Sequence, residues 1–260
     1  MNRATAVDVY DSQTSRYHQA FQVFLNHTDQ KDTARYWLNG HVGRLPRRRV
    51  LIDAGAGTGK VTAWFIDIFQ QTIAIEPNSS LCEELQRTCP TAVVLPTTIL
   101  QAQPPTTGDL VLCSHVFYYL EQTTWMQHLQ RLVSWVSPGG SLVVVLQNPG
   151  TDCMRMLEHF FGKRFNLSAL ATTFEATRGK DYEVTVDTVP AHVETTDFTV
   201  AYTVAEFMLN LLPMSQPPSR DAVQQYIRQH FSAAGGRFRF SCDQDFLQIR
   251  PRLSTGEKVR

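Results

Sequence analysis

The sequence predicts an α/β protein built on a doubly wound, mostly parallel sheet. Two observations predict it. From residue 50 to 146 short apolar runs alternate with segments of helical periodicity, the rhythm of a parallel sheet with helices on both faces. The first run, Val50–Asp53, leads into the glycine turn AGAGTGK at 54–60, where sheets of this kind receive ligands. The 260 residues are 43% hydrophobic and 18% charged, enough for one large domain with a full core.

The elements follow in order. Tyr17, Phe21, Phe24 and Leu25 share a helical face, and the first 45 residues read as helical. Thr28-Asp29 can cap a second helix through Ala34, Trp37 and Leu38, and Pro46 ends it. After the Val50–Asp53 strand and its turn, Val61–Phe69 reads as a helix. Thr72–Ile75 is a second strand, closed by Glu76-Pro77. Asn78 or Ser79 caps a helix carrying Leu81 and Leu85. Ala92–Leu95 is a third strand and Asp109–Ser114 a fourth. Thr123 or Thr124 caps a helix through Met126, Leu129, Leu132 and Val133. Ser137-Pro138-Gly139-Gly140 reads as a sharp turn before Leu142–Leu146, apolar enough to be buried on both faces. Beyond residue 150 the rhythm changes. Asp152–Phe161 and Val204–Leu212 read as helices, Tyr182–Val189 as a strand, Ser219 as the cap of a helix through Val223, Tyr226 and Ile227, and Arg237–Ile249 as extended chain. No linker marks a second domain, so residues 1–260 are expected to form one, with a helical lid (1–46), a core (47–150) and insertions plus final strands (151–260).

Composition excludes several classes of function. Lys+Arg and Asp+Glu both number 24, so neither nucleic acid nor a membrane surface is expected as a partner. The run Arg47-Arg48-Arg49 reads as a solvated turn. Five cysteines, an odd number without a C-x-x-C pair, argue against a disulfide framework and against a metal site. The N-terminus has no apolar signal segment and no run reaches the roughly 18 residues of a membrane span. A cytoplasmic location is the expectation.

The glycine turn admits three readings. A P-loop needs G-x-x-x-x-G-K-[ST], but Ala54 stands where the first glycine should and Val61 where the hydroxyl should. A dinucleotide fingerprint needs G-x-G-x-x-G, but Gly55, Gly57 and Gly59 are spaced G-x-G-x-G and Lys60 takes the close-packing position. The third reading is a nucleoside site without a pyrophosphate. Bare backbone approaches the ligand, and Glu76, at the end of the second strand, accepts both ribose hydroxyls.

Asp53-x-Gly55-x-Gly57-x-Gly59 followed by Glu76 resembles the class I S-adenosylmethionine-dependent methyltransferases. Gly108-Asp109-Leu110-Val111 is similar to that family's fourth strand, and Val136–Leu142 to its LxPGGxL turn. The resemblance implies a Rossmann-like, seven-stranded sheet and S-adenosylmethionine as cofactor. Within that class, YHQAFQVFLNHT (17–28) and FYYL (117–120) resemble the histamine N-methyltransferase family, and TTDFTVAYTVAEFMLNLL (195–212) resembles it loosely. This implies a monomer acting on a small molecule, with a pocket roofed by the N-terminal and inserted helices. The family's amine-holding acid falls at Gln30, its pocket glutamine at His115, a C-terminal asparagine at Cys242, and two tryptophans near Thr151 and Arg155. Those replacements point to a neutral or anionic acceptor rather than histamine.

The candidate residues follow. His115, after Ser114 at the carboxyl end of the fourth strand, is the expected base or substrate anchor, because its titration lies near neutrality; a structural histidine is the alternative. Asp53, Gly55, Gly57, Gly59, Glu76 and Ser114 are expected on the cofactor. Thr97 or Thr98 would meet the adenine, although many members carry an acid there. Tyr17 closes over the cofactor or packs as a core aromatic. Gln30, Phe21, Tyr118, Tyr119, Arg155 and Cys242 are the expected substrate set. N-methylation of an amine or nitrogen heterocycle leads, with O-methylation of a phenol or acid and a non-catalytic cofactor-binding module as alternatives.

Overall fold

The computed structural model describes residues 6–10, 14–212 and 214–252. In chain order the elements begin α1 (Ser15–Asn26), α2 (Gln30–Gly43), β1 (Val50–Ala54), β2 (Gln71–Ile75), α3 (Ser79–Thr88), β3 (Val93–Leu95), β4 (Gly108–Ser114), α4 (Trp125–Val133) and β5 (Val136–Gln147). They continue α5 (Asp152–Phe161), α6 (Leu167–Arg178), β6 (Tyr182–Val189), β7 (His192–Thr195), α7 (Phe198–Leu209), α8 (Arg220–His230), β8 (Ser232–Ala233), β9 (Arg237–Ser241) and β10 (Gln244–Pro251). The chain divides into two compact units. A sheet unit comprises 35–146, 167–187 and the chain from 245, and a helical unit comprises the chain up to 34, 147–166 and 188–244.

The sheet unit is organised on seven strands in the order β3-β2-β1-β4-β5-β10-β6. The pairs β1/β2, β1/β4, β2/β3 and β4/β5 are parallel. Strand addition reverses direction between β1 and β4, which creates the crevice where ligands bind in such sheets. Leu51, Ile52, Ile73, Ile75, Leu110–Cys113 and Leu142–Leu146 are buried, as expected for strands covered on both faces. The same face-to-core logic holds for α4, which buries Trp125, Leu129, Leu132 and Val133.

Four local expectations are corrected here. Val61–Phe69 is not an α-helix: only a 3-10 turn, Thr62–Trp64, forms. Its amides reach back three residues, from Trp64 to Val61 and from Phe65 to Thr62, and the buried Thr62 hydroxyl is committed to Asp53. Ser137–Gly140 is not a turn between elements but an irregularity inside β5. Gly108 pairs with Val136 while Leu110 pairs with Ser141, and Ser137 Oγ donates to Asp109 Oδ1 at 2.9 Å. Thr124 does not cap α4, because its hydroxyl donates to Glu121 O instead. The arginine run is not merely solvated. Arg48 donates to Val42 O and Gly43 O at the end of α2, a C-terminal cap, and Arg47 pairs with Asp109.

The helical unit packs α1, α5, α7 and α8 with a three-stranded antiparallel sheet, β7-β9-β8. Its caps are those the sequence chemistry demands: Ser219 Oγ accepts from Ala222 N, Thr151 Oγ1 from Met154 N, and Asn78, in the sheet unit, from Ser80 N and Leu81 N. The N-terminal segment 6–10 is tied to α7 by Glu206, which accepts from Asp8 N and Tyr10 OH and, within α7, from Tyr202 OH. Helix α6 and the small sheet escape the sequence reading. The extended stretch 237–249 proves to be two strands, β9 in the small sheet and β10 in the large one. No described helix is long and apolar enough to cross a membrane.

Candidate functional site

In the sheet unit the carboxyl ends of β1, β2 and β4 deliver Asp53, Glu76 and His115. The glycine loop leaves β1 by a tight reversal, with Gly55 N and Ala56 N both donating to Ile75 O at 2.7 and 3.1 Å. Gly55, Gly57 and Gly59 all have positive φ. Their surroundings separate their roles. A Cβ on Gly55 would stand 2.3 Å from Val116 Cγ2, and one on Gly59 2.8 Å from Leu85 Cδ1. A Cβ on Gly57 would meet nothing within 4 Å. Gly55 and Gly59 let protein pack on protein, whereas Gly57 keeps a stretch of backbone bare. Lys60 is exposed, as expected of a surface residue.

Glu76 is 6% exposed. Its Oε2 accepts from Gly57 N at 2.9 Å and its Oε1 from Asn78 N at 3.0 Å. A carboxylate has about four acceptor positions, so each oxygen keeps capacity for a hydroxyl donor. Asp53 is buried and its Oδ2 accepts from Thr62 Oγ1 at 2.6 Å. Thr62 and Asn78 are the partners that sequence reasoning missed. Both were findable in principle, since a buried carboxylate at a strand end needs donors from the next turn. Thr98 is exposed and donates to Gln101 Oε1.

His115 N donates to Val145 O at 2.9 Å, which ends the β4/β5 pairing. Its φ of 60° makes it the one non-glycine in the left-handed region among the described residues, an uncommon and costly conformation that concentrates at functional positions. Its Nδ1 lies 3.3 Å from Tyr118 OH, with the rings stacked at 17°. The following 3-10 turn, Phe117–Tyr119, separates the tyrosine pair: Tyr118 is 7% exposed and Tyr119 55%. Ser114 closes β4 opposite Val145.

The remaining sequence candidates belong to the helical unit. Tyr17 is buried and, with Phe21, packs on Phe207 at centroid distances of 5.3 and 5.5 Å. Gln30 and Cys242 come together: Gln30 Nε2 donates to Cys242 O at 2.9 Å, and Thr28 Oγ1 lies 3.3 Å from Cys242 Sγ. Both are buried, and burial pushes the Cys242 thiol up to about 12, so it stays protonated and is no nucleophile. Arg155 turns outward, its side chain 56% exposed, binding Gly150 O and Asp152. Among the described residues no cluster of three or more His, Cys, Asp or Glu could hold a metal ion.

Residues 52–144, which span the strand ends, the glycine loop and His115, match the methyltransferase domain family. The chain carries a methyltransferase domain. The fold of the methyltransferase is similar to that of the YcgJ protein from Bacillus subtilis, with a TM-score of 0.57 and 13% identity over 84% of this chain and 98% of that one. It is also similar to the N-methyltransferase NodS from Bradyrhizobium japonicum WM9, at 0.51 and 14% over 86% and 99%. A third likeness is to DhpI in a complex with SAM and HEP, at 0.50 and 18% over 66% and 87%. No curated protein matches the chain in sequence. The residues present fit the S-adenosylmethionine that the sequence leads one to expect: the space in front of Gly57 is open and Glu76 retains acceptor capacity beside it.

Proposed function

We propose that the methyltransferase transfers a methyl group to a nitrogen of a small amine or nitrogen heterocycle, with His115 as base and Glu76 as the ribose-binding carboxylate. The observation that carries this reading is His115, held with φ of 60° at the carboxyl end of β4, the next strand over from the glycine loop. S-adenosylmethionine, which Glu76 and the glycine loop would hold, would supply an electrophilic sulfonium methyl to an amine lone pair, and one proton would then have to leave the nitrogen.

The chain's own residues do the rest. The Glu76 carboxylate, fixed by Gly57 N and Asn78 N, takes the two ribose hydroxyls. The Asp53–Thr62 pair holds the start of the loop. His115 takes the proton from the acceptor nitrogen, either before attack or from the methylated product. The leaving thioether needs no acid, so positioning and exclusion of water carry most of the rate. The likeness of Tyr17–Thr28 and Phe117–Leu120 to histamine N-methyltransferase supports a small acceptor, and the fold it shares with NodS is in keeping with nitrogen chemistry. Gln30 in place of an acid argues against histamine itself. The five free thiols are in keeping with a reducing cytoplasm, where the chain acts as a monomer.

Incubation with methyl-labelled cofactor and a panel of amines, imidazoles, phenols and carboxylates tests this. Label is expected in amines or imidazoles, and His115→Ala is expected to abolish most of it. Label in phenols alone would replace the reading with O-methylation. Cofactor binding without transfer to any acceptor would leave a binding module.

A further inference from the structure

We infer that Val116 is a positioning residue: its isopropyl group, wedged against the glycine turn, holds the strained backbone of His115 and sets the distance from His115 to the loop at Gly57. The inference rests on the reading of His115 as the base.

Residue 55 has no side chain, and Val116 fills the room this leaves. A Cβ at position 55 would stand 2.3 Å from Val116 Cγ2 and 3.3 Å from its Cγ1, so both methyls lie against the bare face of Gly55. A β-branched side chain is stiff at χ1, which keeps the two methyls in place. The two sides of this contact are not equally anchored. The glycine turn is pinned independently of Val116, by Gly55 N and Ala56 N on Ile75 O and by Gly57 N on Glu76 Oε2. The chain at 115–116 reverses sharply, from φ of 60° at His115 to φ of −92° and ψ of −35° at Val116. A left-handed non-glycine persists only where its surroundings over-determine it. Val145 O holds the amide of His115 on one side. On the other, Val116 is held by its wedge and by the bond from Tyr119 N to Val116 O. Loss of the wedge therefore releases the turn at His115 and leaves the glycine loop in place.

Val116→Ala in the full chain tests this, first without any substrate. A residue of positive φ gives a strong cross-peak between its own amide and α protons, and NMR of the labelled protein reads it at His115. The wild type is expected to show it and Val116→Ala to weaken it. In assays with the acceptor that takes label, Val116→Ala is expected to lose about tenfold or more in kcat, because small misplacements are costly, with the Kd for cofactor unchanged. Val116→Thr, which keeps the branch at a half-buried position, is expected to restore both the cross-peak and kcat. Stability reports the contact itself. With Val116→Ala in place, a methyl at position 55 would meet only the Cβ of residue 116, at 3.4 Å. The double variant is therefore expected to regain part of the Tm that Gly55→Ala loses, a non-additive effect. Additive losses of Tm, a His115 cross-peak unchanged in Val116→Ala, or a cofactor Kd that worsens as much as kcat would each overturn the inference. A weakened cross-peak with kcat unchanged would instead overturn the role given to His115.

Discussion

In the proposed function, Glu76 concentrates the cofactor chemistry at one residue. Two backbone amides hold its carboxylate, and the hydroxyls it would accept make charge-assisted bonds, each contributing about 1.5–3 kcal/mol. Glu76→Ala is expected to weaken S-adenosylmethionine binding by about 100-fold or more by calorimetry; an unchanged Kd would remove Glu76 from the ribose site. The glycines make a matched pair of tests. Gly57→Ala strains a left-handed residue by about 1–2 kcal/mol and puts a methyl where nothing stands. It is expected to fold, with a slightly lower Tm and a clear loss of cofactor affinity. Gly55→Ala drives a methyl into Val116 and is expected to lose stability first.

At the scale of elements, capping separates two helices that look alike in sequence. Ser219 accepts from an amide of α8, whereas the Thr124 hydroxyl donates away from α4. Ser219→Ala is expected to cost about 1 kcal/mol in urea unfolding, and Thr124→Ala distinctly less. The strands from 50 to 146 and the caps at Ser219 and Asn78 were legible because apolar runs and Ser or Asn before a helical stripe are local signals. The 3-10 turn at Thr62 was not, because a tertiary bond, Thr62 to Asp53, overrides a helical pattern that looks sound by periodicity. The bulge in β5 was hidden for a related reason. Ser-Pro-Gly-Gly spells a turn locally, and only pairing with Gly108 and Leu110 shows that the strand runs through it. Of the candidate site, the glycine turn was legible because the positive φ of Gly55, Gly57 and Gly59 demands glycine. The contact between Gln30 and Cys242 was not, because a bond from Gln30 Nε2 to Cys242 O across 212 residues leaves no local signal.

For the molecule as a whole, acid sensitivity has an identifiable source. His41, fully buried in the sheet unit, is held down to about 4 by burial, with Arg250 and Arg44 adding to the effect. Gln248 Nε2 donates to Asp187, so its Oε1 is the atom that meets His41 Nδ1; that nitrogen therefore carries the proton. Above pH about 6.5 the ring is neutral folded or unfolded. As pH falls from there toward 4, the unfolded chain takes up a proton that the folded chain refuses, and up to about 3 kcal/mol of stability is lost. His41→Gln is expected to lose less stability than the wild type between pH 7 and 4.5 in urea unfolding. An equal loss would place the acid sensitivity elsewhere.

The short turn at Thr62–Trp64 also has an electrostatic consequence. A long α-helix starting at the glycine loop would aim a macrodipole, about half a positive charge, at whatever the loop holds. That field is what phosphate sites exploit, and it would oppose a ligand whose reactive atom is a cation. Three residues of 3-10 helix generate little of it. By breaking the helix, the chain weakens the attraction for a phosphate and would leave the sulfonium of the proposed cofactor unopposed.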